Sequence, residues 1–147
     1  MVGIPSETIN DIFKTSSLNA KCKIDFSIFV IFNPYPSTTL FDYAVKNNYF
    51  SGNFDKIEEK SILYDTTLNY NDFEKRQLKN FILFAPIISK YPSLSKLIKV
   101  MIRFPNNFIY NTIYKIYYII RLSRVYSGLW GINFKALIKL NKFLRVD

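Results

Sequence analysis

The sequence contains no histidine and a single cysteine, Cys22, in 147 residues. Without histidine there is no imidazole base, so Ser-His-Asp and Cys-His mechanisms are excluded, and one thiol forms neither an internal disulfide nor a Cys/His zinc site. Glycine is scarce, at four residues, and no glycine-rich phosphate loop or paired-carboxylate constellation occurs. Long uninterrupted apolar runs are missing too. The most apolar stretch, Phe108 to Tyr126, contains Asn111, Lys115, Arg121 and Arg124, whereas a spanning helix needs about 20 predominantly apolar residues. No basic region followed by an apolar core marks the amino terminus as a secretory leader, so the expected location is cytoplasmic.

What is present argues for a packed protein. Hydrophobic residues make up 49% and aromatic residues 18%, against 21% charged, which excludes intrinsic disorder and suits a single domain of this size. The net charge is +9 and is unevenly placed: residues 1–70 hold 6 Lys/Arg and 8 Asp/Glu, residues 71–147 hold 14 and 3. Such a balance raises nucleic acid or an anionic membrane surface as a partner. The richness in Ile, Asn, Lys, Tyr and Phe also suits A+T-rich codon usage, which enriches lysine without selection for binding.

The second half reads as helices punctuated by proline and glycine. Between Asn71 and Lys90, Leu78, Phe81, Ile82 and Ala85 recur at helical spacing, with Lys75 and Lys79 on another face. Pro92 stops that helix, and Ser93 is the expected cap of a second, striped by Leu94, Leu97, Ile98, Met101 and Ile102 and flanked by Lys96, Lys99 and Arg103. Pro105 ends it. A third helix is expected from about Asn107 to Tyr126, and Gly128 and Gly131 separate it from a last at about Ile132 to Leu144. The basic stripes, including Lys135, Lys139 and Lys142, read as solvated faces. Tyr114, Tyr117, Tyr118 and Trp130 read as core packing rather than base-stacking platforms.

The first half has another pattern. Ile24 to Phe32 begins with alternation and becomes a continuous run of β-branched and aromatic residues, which predicts a strand buried on both faces, as in parallel sheets. Thr8 to about Lys21 predicts a helix, with Thr8 and Asp11 at capping-box spacing and Ile9, Ile12, Phe13 and Ala20 facing inward. Met1 to Ile4 reads as the end of an earlier strand, and Thr38 to Asn48 as a further helix with Leu40, Phe41, Ala44 and Val45 inside. The expected fold class is therefore α/β: an incomplete parallel (β/α) barrel fragment of two strands with helices, followed by an all-helical carboxyl-terminal tail. The expected divisions are 1–49 for the βα units, 50–70 for a polar linker and 71–147 for the basic helical extension. Two strands cannot cover their own edge, so this reading expects missing strands upstream and another polypeptide over Phe26 to Phe32.

Two segments are more specific than composition. Val2-Gly3-Ile4-Pro5-Ser6-Glu7-Thr8 and Asn33-Pro34-Tyr35-Pro36-Ser37-Thr38 each follow an expected strand and lead into a capped helix, where α/β barrels gather their ligands. In order and at this separation they resemble two turns of radical S-adenosylmethionine (SAM) enzymes: a Gly-x-Pro-Gly-Glu-Thr turn after the fifth barrel strand and an Asn/Ser-Pro-x-Pro-Gly-Thr turn after the sixth. Ser6 and Ser37 stand where the family has glycine. The stretch from Asn80 to Ile116, with Pro86, Tyr91-Pro92 and Phe104-Pro105, resembles the helical extension of the subgroup with an amino-terminal cobalamin-binding domain.

The resemblance implies a SAM-binding role. Val2, Gly3 and Ile4 would line the adenine pocket, with Pro5 in the same turn, Glu7 would support that turn, and the backbone around Asn33 and Pro34 would border the adenine. It also implies a 4Fe-4S cluster held by three cysteines, and cobalamin in an intact protein. One cysteine cannot hold that cluster. Cys22 reads instead as an ordinary half-buried side chain, and Glu7 equally as a residue favouring a helix amino terminus. The expectation is a carboxyl-terminal fragment of a radical SAM enzyme, starting inside the fifth strand through truncation, frameshift or gene splitting. It would be inactive alone, or active only with a separately encoded amino-terminal part. The alternative is a non-enzymatic basic helical module that binds an anionic membrane surface or nucleic acid.

Overall fold

The computed structural model describes residues 1–24, 27–53, 65–106 and 108–127, with only the backbone for 122–127. The expected last helix at Ile132 to Leu144, with Trp130 and Lys135, Lys139 and Lys142, lies outside them, as do Asp25 and Phe26 and most of the expected linker.

Helix α1 (Ile9–Lys21) is started by a reciprocal capping box. The Asp11 amide donates to Thr8 Oγ1 at 3.3 Å and the Thr8 amide to Asp11 Oδ2 at 3.2 Å, satisfying two amides that a helix end otherwise leaves unpaired. Lys14 Nζ, 2.7 Å from Asp11 Oδ1, together with Thr8 holds that carboxyl down at about 2. Ile12 and Phe13 are buried as the spacing predicts, and Ile9 packs against the core. Cys22 follows the helix and is exposed, not half-buried. Helix α2 (Thr39–Lys46) is capped by Thr38 and buries Ala44, while Leu40 and Val45, expected inside, are exposed.

Helix α3 (Asp72–Lys90) is the centre of the molecule. Asn71 and Glu74 form its capping box, and Leu78, Phe81, Ile82 and Ala85 are all buried. From Asn80 to Ser89 every side chain is buried, so the helix is covered all round rather than along one stripe. Phe81 has rings from two other parts of the chain against it, Phe13 of α1 at 5.2 Å and Phe29 at 5.9 Å. Asn80, also buried, donates its amide to the carbonyls of Ile102 (3.0 Å) and Phe104 (2.8 Å), tying α3 to the end of the next helix.

A single 3-10 turn, Pro92–Leu94, precedes α4 (Ser95–Met101). Ser93 is therefore not a helix cap: Pro92, with its φ preset for helical winding, starts the turn one residue earlier and leaves Ser93 inside it. Ile98 and Ile102 are buried, but Leu94 and Leu97 are exposed. Helix α5 (Phe108–Ser127) packs on α3 through Tyr110 and Tyr114, with Tyr117 and Tyr118 partly buried beside them, in agreement with the core reading of these tyrosines.

The (β/α) barrel fragment is not found. The described residues are mostly helical and contain no strand, only one isolated parallel bridge between Val2 and Ile31. Its two bonds run from the Val2 amide to the Val30 carbonyl (3.0 Å) and from the Phe32 amide to the Val2 carbonyl (2.8 Å). The chain turns at Gly3 (φ 74°) and enters the Pro5-Ser6 turn at once, so the partner of the apolar run ends after a single pairing and no ladder propagates. The run is covered differently. Phe29 and Ile31 join Val2 in the cluster built around α3, and Phe32 joins a second cluster with Ala44, Phe50 and Leu68. Burial on both faces is not found either: Ile24 and Ile28 are exposed, and helix α3 covers only Phe29 and Ile31 where a sheet was expected.

Candidate functional site

The first motif forms a closed turn. Glu7 Oε2 accepts the amides of Gly3 (2.7 Å) and Ile4 (3.1 Å), so its carboxylate ties the turn to the start of α1. Gly3 suits this position on two counts: its φ is 74°, and a Cβ would come within 3.2 Å of the Leu78 side chain on α3, which would have to give by a few tenths of an ångström. Ser6 has φ 68° and Ser37 φ 64°, so both serines that replace family glycines occupy the left-handed region.

Tyr70 locks this turn from outside. Its hydroxyl donates to the Ile4 carbonyl at 3.0 Å and lies 3.4 Å from that of Gly3. Burial, followed by the nearby charges of Glu7 and Glu74, pushes its ionisation up to about 12, so it stays a donor at neutral pH. The second motif is held in a comparable way. Asn33 donates its amide to the Asp65 carbonyl (3.0 Å) and accepts from the Thr67 amide (2.9 Å), while the Thr66 hydroxyl donates to the Phe32 carbonyl (3.1 Å). These partners lie in residues 65–70, which sequence reading placed in a polar linker. Separated by more than 30 residues from Asn33 and more than 60 from Gly3, they carry no local signal that could have identified them.

Two cavities flank the motifs and share no lining residue. One, of about 370 Å³, is bordered by Gly3, Ser6, Glu7, Tyr49, Tyr70 and Gln77 among others. The other, of about 470 Å³, is walled by Val30, Ile31, Phe32, Tyr35 and Leu40, with Asn33 and Thr38 as polar groups near the start of α2. Both volumes fall in the range of small-molecule sites, and the second has the apolar walls and few polar groups usual in them. The structure thus brings Gly3 and Glu7 to one cavity and Asn33 to the other. Val2, Pro5 and Pro34 are buried supports and Ile4 is half-buried. No group of His, Cys, Asp or Glu able to hold a metal occurs among the described residues, and no helix among them is long and apolar enough to cross a membrane.

Over 48 residues, one third of its length, the chain is 40% identical to an uncharacterized methyltransferase of Pyrococcus horikoshii, of which the match covers a tenth. No protein-family model and no solved structure matches it significantly.

Proposed function

We propose that this chain is the SAM-contacting carboxyl-terminal part of a radical SAM methyltransferase-type enzyme, and that it works with a separately encoded amino-terminal part. The observation that carries this reading is the pair of proline turns, each holding a serine at positive φ where the family motif has glycine. The similarity to a methyltransferase supports it at the coarser level of SAM-related chemistry.

In this reading Asn33 borders the adenosyl group in the second cavity, with the apolar wall of Ile31, Phe32 and Leu40 beside the ring, while the Gly3 turn lines the separate first cavity. Glu7 positions the first turn, its Oε2 accepting from two backbone amides. Val2, Pro5 and Pro34 hold the turns from beneath. These residues bind and orient; they move no electrons. The 4Fe-4S cluster does not fit this chain, since three thiolates are needed and only the exposed Cys22 is present. No residue described here assigns a site to cobalamin.

The reading is tested by anaerobic reconstitution with iron and sulfide, with this chain alone and with the product of an adjacent frame encoding a Cys-x-x-x-Cys-x-x-Cys loop. SAM cleavage confined to the mixture is the expected result. Cleavage or methyl transfer by this chain alone, or an adjacent region that encodes no such loop, overturns it.

A further inference from the structure

Helix α5 is apolar over much more of its circumference than the core covers. At 100° per residue, Ile109, Ile113, Ile116 and Ile120 fall within about 60° of one another, beside the stripe of Tyr110 and Tyr114 that packs on α3. All four isoleucines are exposed, Ile109 at 62% and Ile116 at 54%, and Phe108 at the start of the helix is 83% exposed. On and just after α4, Leu97, Val100 and Phe104 are exposed as well.

The charge of this part of the sequence is one-sided. Between Lys75 and Val146 the sequence holds 14 Lys and Arg and not one Asp or Glu. Codon bias acts on the whole chain, yet the first 70 residues hold eight carboxylates, so composition alone does not empty this stretch of them. Lys96 and Arg103 are exposed beside the apolar residues of α4.

We propose that the exposed apolar residues of α4 and α5 bind an anionic lipid bilayer surface, with the Ile109 to Ile120 stripe and Phe108 entering the headgroup boundary and Lys96 and Arg103 meeting the lipid phosphates. Exposed apolar side chains next to unbalanced positive charge are the two contributions that hold an interfacial helix. The stripe argues for lipid over nucleic acid, because isoleucine offers no planar face for base stacking but gains fully from leaving water. It argues against a second copy of the chain, since two such faces would bring cations together without carboxylates to pair them.

The test is co-sedimentation of the full chain with phosphatidylglycerol–phosphatidylcholine vesicles and with phosphatidylcholine vesicles, at low and high salt. Binding to the anionic vesicles is expected, weakened by salt and by Lys96→Gln with Arg103→Gln. Ile109→Ser with Ile116→Ser should reduce it about tenfold or more. Phe108→Ser, at the most exposed position, gives the same readout if the double variant loses its helicity by circular dichroism. No binding to anionic vesicles at low salt overturns the proposal. So does binding that none of these apolar substitutions changes, tighter retention by single-stranded nucleic acid, or self-association that buries the stripe and leaves vesicles unbound.

Discussion

Ser6 and Ser37 show how a single backbone angle carries information. Each sits at positive φ, which costs an L-residue about 1–2 kcal/mol, whereas glycine there gives up roughly 0.5–1 kcal/mol of unfolded-state entropy relative to alanine. Ser6→Gly and Ser37→Gly are each expected to stabilise the chain by about 0.5–1 kcal/mol, read as a raised midpoint in urea. A lowered midpoint for Ser6→Gly would mean that its hydroxyl, 2.5 Å from the Pro5 carbonyl, matters more than the angle. The two positions were marked only by the resemblance, as serines where the family has glycine, whereas the capping box of Thr8 and Asp11 was legible in the spacing itself, because it depends on neighbours within a few residues. The locks supplied by Tyr70 and by Thr66 and Thr67 were not legible. They join segments distant in sequence through ordinary polar residues that many loops contain.

At the scale of elements, helices were readable and the sheet was not. Helix α3 announced itself by Leu78, Phe81, Ile82 and Ala85, a periodicity that survives in any tertiary context. The run from Ile24 to Phe32 carries no such period, and its apolar character names neither which of its residues are buried nor what buries them: Phe29, Ile31 and Phe32 are inside, while Ile24 and Ile28 are exposed. Only one residue pair bridges, and α3 covers Phe29 and Ile31. Phe81, where α1, the apolar run and α3 meet, is the residue on which this arrangement turns. Phe81→Ala is expected to destabilise by about 3–5 kcal/mol in chemical denaturation, while Leu18→Ala on the exposed side of α1 should stay within about 0.5 kcal/mol. A small effect at Phe81 would contradict its place at the junction.

At the scale of the molecule, charge is the dominant asymmetry. The sequence holds fourteen cations and no carboxylate between residues 75 and 146, and those among the described residues, such as Lys96, Lys99 and Arg103, repel one another more in the compact state than in an expanded one. Raising sodium chloride to ~0.1 M shortens the screening length to about 10 Å, which should lift the thermal midpoint by a few degrees, roughly 1 kcal/mol of relief. A midpoint that falls or stays level would show that ion pairs such as Lys79–Asp65 outweigh the repulsion. By itself the sequence determined what acts over short distance along the chain: the period of helix α3, the Thr8–Asp11 capping box, the lack of three cysteines and the sign of the charge. Tertiary structure alone decided what covers the apolar run, which distant side chains close each turn, and which half of α5 stays in water. Those outcomes depend on competition among surfaces far apart in the chain, and the winner is whichever packing removes most apolar area while leaving fewest backbone groups unpaired.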